Sequence, residues 1–268
     1  MDLENLNKNH NIPTKKSSEI EVGEVSKTKE NIISLPEITE LEEPSKKIIQ
    51  KILTRIEKGE YGLIIGDDAS GRVPALILGG FIKRVSKLKN LHEPNIIFIP
   101  GKLQKDIDTT PERLKEHMAK YGLKVGDRVL IVTDAIESGR SLEVLSNLLK
   151  ESGFGFDIAT MGVVVSDGDV EESAYLEYSR KNKLADSNII SGELTRKENE
   201  SNTQIPSIWL DRELNGVFKH PGDLKSRSVK LDTYPEFQEK VQMKINKSRL
   251  QVNILVDQLV DWYLAKIK

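Results

Sequence analysis

Between Arg128 and Ser141 the chain reads Arg-Val-Leu-Ile-Val-Thr-Asp-Ala-Ile-Glu-Ser-Gly-Arg-Ser. Two carboxylates (Asp134, Glu137), two hydroxyls (Ser138, Ser141), a glycine (Gly139) and a guanidinium (Arg140) stand close together there. These groups suit a phosphorylated sugar. The hydroxyls donate to phosphate oxygens, Arg140 adds positive charge, and Gly139 lets the backbone approach without a Cβ in the way. Asp134 and Glu137 would repel a bare phosphate. They make sense facing sugar hydroxyls or a magnesium ion, which takes carboxylate and water oxygens.

The flanking sequence supplies the elements that would hold such groups. Val129 to Val132 is an unbroken apolar run, the pattern of a strand buried on both faces in a parallel sheet. Polarity returns at Thr133-Asp134, and Ser138-Gly139-Arg140-Ser141 predicts a tight turn. Leu142, Leu145, Leu148 and Leu149 then recur at helical spacing, and Gly153 offers a stop. The first N–H groups of that helix have no intrahelical partner, and with the positive end of the helix dipole they attract an anion. A plainer alternative is that Ser138 or Ser141 only caps a helix after a buried strand. Capping alone does not call for Asp134, Glu137 and Gly139 at these positions.

The segment Val129–Leu142 resembles the phosphoribosyl-pyrophosphate (PRPP) loop of type I phosphoribosyltransferases. The family pattern is four apolar residues, two acids, three variable positions, then Thr/Ser-Gly-x-Thr/Ser. This chain departs from it at Thr133, where the first acid is replaced. The resemblance implies that Thr133, Asp134, Ala135, Ile136, Glu137, Ser138, Gly139, Arg140 and Ser141 bind PRPP. It further implies that Asp134 and Glu137 serve catalysis and that Asp134 faces a magnesium cofactor. The reaction would be displacement at ribose C1 by a nucleobase nitrogen, with pyrophosphate leaving. Both acids of the family pair approach the ribose hydroxyls, so Thr133→Asp would be expected to speed transfer.

Other segments are read around this one. Gly62 to Ile65 predicts the first core strand, followed by Gly66-Asp67-Asp68-Ala69-Ser70-Gly71-Arg72 and a helix containing Ala75, Leu76, Leu78 and Phe81. Gly66 and Gly71 have the spacing of a P-loop. Arg72-Val73 stands where that motif needs Lys-Ser/Thr, which argues against a P-loop NTPase. The family carries a short pyrophosphate-binding loop here, which makes Arg72 the pyrophosphate candidate. Asp67 and Asp68 are open to two readings, magnesium ligands or a solvated acidic turn. Asn95 to Ile99 predicts a second strand, and Pro111 opens a helix to Tyr121. Lys102 and Lys105, between them, stand where the family has a mobile basic loop over pyrophosphate; a solvated lysine pair is the alternative. Ile158 to Val165 predicts a fourth strand, Ala174 to Asn182 a helix, and Lys183 to Thr203 a loose polar stretch. Pro206 to Asp211 predicts a last strand. By the resemblance its Trp209 and Asp211 would stack on and read the base, while Trp209 as core filler is the ordinary alternative.

Composition bounds the rest. The chain has 268 residues, a net charge of −2, 31% charged residues and no cysteine. A near-neutral balance excludes general nucleic-acid binding, and the lack of cysteine excludes disulfides and thiol catalysis. His10, His92, His117 and His220 are scattered and make no metal-ligand spacing. No apolar run nears a membrane span, and the expected compartment is the cytoplasm. The expected architecture is α/β with a doubly wound, mainly parallel sheet of the type I phosphoribosyltransferase kind. It would comprise a disordered tail over 1–43, a phosphoribosyltransferase-like domain over 44–215 and a helical extension over 216–268. Within the tail, Ile32 to Pro36 could dock. The helix expected over Pro44–Glu57 has Ile48, Ile49, Ile52, Leu53 and Ile56 on one face. The terminal helix, Pro235 to Lys268, would line Ile254, Leu255, Leu259, Val260 and Tyr263 along one side, for packing within the chain or in a homo-oligomer. Partners are expected to be PRPP and a purine-like nucleobase, with no membrane. A non-catalytic PRPP- or nucleotide-binding regulator on the same fold is the alternative, and an unrelated α/β enzyme with a similar anion loop is the third.

Overall fold

Among the described residues five strands form one sheet in the order β2-β1-β3-β4-β5, all neighbours parallel. The strands are β1 (Tyr61–Asp67), β2 (Asn95–Ile99), β3 (Arg128–Ile136), β4 (Gly155–Val165) and β5 (Asn188–Lys197). The helices are α1 (Pro36–Thr39), α2 (Glu42–Glu57), α3 (Arg72–Leu88), α4 (Pro111–Ala119), α5 (Arg140–Glu151) and α6 (Gln238–Lys266). The structure, a computed structural model, describes residues 35–67, 70–100, 103, 109–136, 139–165, 176–177, 181, 184, 188–197, 214 and 238–266.

The period of two along each strand sends alternate residues to opposite faces of the sheet. Ile64, Leu130, Val132, Ala159 and Met161 point to one face, where they meet α2, α3 and α6. Leu63, Ile65, Ile97, Val129, Ile131 and Ile158 point to the other and meet α4 and α5. Ile97, Ile65, Ile131, Ile158 and Ile189 stand in register across all five strands. Both faces are therefore covered, which explains why the central strands read as apolar runs.

The terminal helix packs within the chain. Val252, Leu255, Val256, Leu259 and Tyr263 are buried against α1, α2 and α3. Tyr263 meets Phe81 edge to face at 5.8 Å and donates its hydroxyl to Glu57 at 2.7 Å. Arg84 and Asp257 pair beside them. Of the residues expected to line this face, Leu255, Leu259 and Tyr263 are buried, while Ile254 and Val260 are half-buried.

Two expectations are corrected. Lys183–Thr203, read as a loose polar stretch, contains β5, the edge strand on β4. Its Ser-Gly-Glu centre disguised it. The glycine is needed, because a Cβ on Gly192 would stand 2.7 Å from Pro44 of α2. An extra residue bulges there: Thr160 pairs with Ser191 and Gly162 with Leu194. Glu193 takes φ 64° in the bulge, held by Lys47 and Lys51 at 2.6 and 2.8 Å. Those hydrogen bonds hold its carboxyl down to about 2. The second correction concerns the tail. It carries the short helix Pro36–Thr39 and the first residues of α2, and Ile38 and Leu41 are fully buried in the core of α2, α3 and α6. The strand expected at Pro206–Asp211 lies outside the described residues, as does most of the helix expected at Ala174–Asn182.

The edge of the sheet where the strands begin is tied by one buried acid. Asp157, fully buried in β4, accepts hydrogen bonds from Arg55 (2.9 Å), Tyr61 (2.7 Å), Arg128 (3.1 Å) and Asn188 (3.0 Å). These donors come from α2, β1, β3 and β5. Burial, and then the bond to Asp157, pushes the Tyr61 hydroxyl well above its usual range.

Candidate functional site

The opposite edge, where the strands end, carries the residues singled out by type and spacing. From β1 the chain leaves through α3 to β2 on one side. From β3 it leaves through α5 to β4 on the other. In a sheet of order 2-1-3-4-5, ligands bind at this divergence, outside the strand ends. The loops after β1 and β3 both open there.

β3 runs further than its apolar core and continues through Thr133, Asp134, Ala135 and Ile136. Asp134 is half-buried, and its Oδ1 accepts the Ala135 N–H at 2.7 Å. The turn into α5 is made by Gly139, which is buried and has φ 73°. That left-handed conformation favours glycine over any residue with a Cβ. Gly139 is also the N-cap, so no cap side chain covers the first amides of α5. Ser141 is half-buried in the first turn, while the Arg140 side chain is exposed. Glu137 and Ser138 lie outside the described residues.

The loop after β1 is built against this one. Gly71 leaves no room for a side chain: an added Cβ would stand 2.2 Å from the Val132 carbonyl and 2.6 Å from the Asp67 nitrogen. Its N–H donates to the Asp67 carbonyl. Asp67 is buried (1% exposed), so of the two readings offered for it the solvated turn does not hold. Its Oδ2 lies 3.2 Å from Ser70 Oγ and 3.4 Å from Thr133 Oγ1. Thr133 is equally buried. Arg72, the first residue of α3, is half-buried, with its guanidinium 4.2 Å above the centre of the Phe98 ring. A cation over an aromatic face is attracted by the ring quadrupole. Gly66 makes space for the same ring, since a Cβ there would come within 2.7 Å of it.

The structure thus places Thr133, Asp134, Ala135, Ile136, Gly139 and Ser141 on the end of β3 and the start of α5, and Arg72 next to the Gly71 that abuts Val132, with its guanidinium over Phe98 of β2. Asp68, Lys102, Lys105, Trp209 and Asp211 lie outside the described residues. Asp67, read from the sequence as a magnesium ligand or a turn residue, is instead the buried end of β1, one step past the register pair Gly66–Val132 and so level with Thr133. A separate cleft of about 590 Å³ lies along β5, lined by Lys51, Asn188, Ser191 and Glu193 among others. It is not formed by the loops just described.

Among the described residues no group of three or more carboxylates or imidazoles converges into a metal cage. Magnesium does not require one; it is commonly held by one or two carboxylates plus substrate phosphates. Asp134, the carboxylate expected there from the sequence, is half-buried near the end of β3 with its Oδ1 accepting the Ala135 N–H.

No family model and no curated protein sequence matches the chain. Among solved structures, the chain is similar to a purine phosphoribosyltransferase from Pyrococcus horikoshii Ot3. The similarity is 16% in identity with a TM-score of 0.28, over 60% of this chain and 92% of that one. A likeness of this strength carries no inference about activity. No helix among the described residues is long and apolar enough to cross a membrane.

Proposed function

We propose that the chain is a phosphoribosyltransferase that moves ribose 5-phosphate from PRPP to a nucleobase, purine-like by preference, and releases pyrophosphate. The observation that carries this reading is the junction of two loops at the divergence of β1 and β3. One ends on Gly139 at the uncapped start of α5, and the other on Arg72. The first would take the 5-phosphate on backbone N–H groups and the Ser138 and Ser141 hydroxyls. The second would take pyrophosphate on Arg72, helped by Lys102 and Lys105. Asp134 would face the ribose. As the bond at C1 breaks, positive charge grows on the sugar, and a fixed carboxylate stabilises that charge more than it stabilises the ground state. Glu137 would accept the proton that the attacking base loses, with Trp209 and Asp211 holding the base. Magnesium, when bound at Asp134 and the substrate phosphates, would neutralise charge on the leaving pyrophosphate.

A second reading, a non-catalytic PRPP- or nucleotide-binding regulator, is favoured by Thr133. This residue brings a buried hydroxyl where the family carries an acid. Pyrophosphate release with a panel of bases separates the two: release supports the transferase, and PRPP binding without release with any base supports the regulator.

Two results are expected at the loop itself. Ser138→Ala combined with Gly139→Val should weaken PRPP binding at least a hundredfold by calorimetry, with the far-ultraviolet spectrum retained. A β-branched residue resists the φ of 73°, and a misplaced binding group costs about that much. Unchanged affinity would remove the phosphate loop from the reading. PRPP binding should also need magnesium. Equal affinity in excess chelator would leave a phosphate-only site and argue against transfer.

A further inference from the structure

Residue 133 faces into the protein. Thr133 and Asp67 are each 1% exposed; Asp67 ends β1, and Thr133 lies beside it in β3, one step past the register pair Gly66–Val132. The Thr133 hydroxyl has one proton to give. Its nearest acceptor is Asp67 Oδ2 at 3.4 Å, with Asp134 Oδ1 and the Ala135 carbonyl at 3.5 Å. Ser70, in the loop after β1, reaches the same Asp67 oxygen at 3.2 Å. A carboxylate is the stronger acceptor where charge assists the bond. Beneath it, Gly71 donates its N–H to the Asp67 carbonyl and presses its Cα against the Val132 carbonyl.

We propose that Asp67 is a positioning residue. Its carboxylate gathers Ser70 from the loop after β1 and Thr133 from β3, and so fastens that loop to the strand that leads into the other loop. Thr133 is then the β3 half of this latch, and the missing family acid is a consequence: an aspartate here would press a second carboxylate on Asp67 in a buried place. The effect on ligand binding rests on the transferase or PRPP-binding reading above. The joining of the loops does not.

Hydrogen exchange on the ligand-free chain tests the joining alone. Thr133→Val keeps the shape and removes the hydroxyl. It should speed exchange about tenfold at the Gly71, Arg72, Val73 and Ala75 amides, which lie at the end of the β1 loop and in the first turn of α3, while leaving α4 amides unchanged. Thr133→Ser keeps the hydroxyl and should restore the wild-type rates. Equal rates in Thr133→Val and wild type at Gly71 to Ala75 would overturn the latch. Calorimetry with magnesium and PRPP tests the consequence. Thr133→Val and Asp67→Asn should each weaken binding about tenfold. The double variant should be no weaker than Asp67→Asn alone, because the Thr133 contact is already lost with its acceptor. Losses that multiply in the double variant would overturn the latch. Thr133→Asp should bind at least tenfold more weakly, the reverse of what restoring a family acid would give, and tighter binding would likewise overturn it. If wild type does not bind PRPP at all, the functional reading falls, and the exchange rates at Gly71 to Ala75 alone decide the latch.

Discussion

Gly71→Ala is expected to cost ligand affinity about a hundredfold and to lower the melting temperature by several degrees. The cause is a collision, not backbone conformation. The added Cβ would lie 2.2 Å from the Val132 carbonyl and 2.6 and 2.8 Å from backbone atoms of Asp67. Real Cβ atoms do not come so close to backbone, and neither neighbour is the free end of a side chain. Relief requires the β1 loop to lift off β3, which moves Arg72 away from Asp134 and Gly139. Displacing binding groups by about 1 Å can cost a hundredfold. Gly62→Ala is the control, since a Cβ there meets nothing closer than 3.6 Å and should change neither quantity. Melting by calorimetry and PRPP titration read both effects. Wild-type affinity in Gly71→Ala would mean that the two loops need not touch for the site to work.

The opposite edge of the sheet should behave in the opposite way. Asp157→Ala removes the acceptor shared by Arg55, Tyr61, Arg128 and Asn188. Breaking a buried ionic network from one side typically costs about 3–5 kcal/mol. Arg55 and Arg128 are each about one-third exposed and can turn towards water, which favours the lower end of that range. A loss of about 3 kcal/mol corresponds to a fall of roughly 6–12 °C in a domain of this size. At temperatures where the variant remains folded, PRPP affinity should match wild type, because these residues lie where the strands begin and the loops lie where they end. A melting shift under about 2 °C would show that the network is not the tie described, and a selective loss of affinity would contradict the division of the two edges.

The central strands and the loop after β3 could be read from the sequence because their causes are local. Val129 to Val132 and Ile96 to Ile99 are apolar in unbroken runs, and Gly139 stands where a left-handed turn is required. β5 escaped because Ser191, Gly192 and Glu193 describe a bulged edge, and only Pro44 and Lys51 of α2 explain them. Asp67 and Asp157 escaped for a related reason. Each is an acid at the margin of an apolar run, with partners from other elements, and no spacing within a single segment reveals them. Thr133 was read by analogy as the loss of a ligand contact; its burial beside Asp67 gives it a partner inside the fold.

The closing of α6 over α2 and α3 has a consequence for how the chain is made. Glu57 and Tyr263, joined by a hydrogen bond, are 206 residues apart in the chain. At cellular elongation rates of about 5–20 residues per second, the ribosome needs roughly 10–40 s to travel from one to the other. Until then Phe81 lacks the Tyr263 ring that covers it and Gly80 lacks the neighbouring Val256 side chain, although the sheet beneath them can already assemble. The nascent protein therefore carries a sticky flank until its closing helix emerges, a period in which chaperone capture competes with self-association.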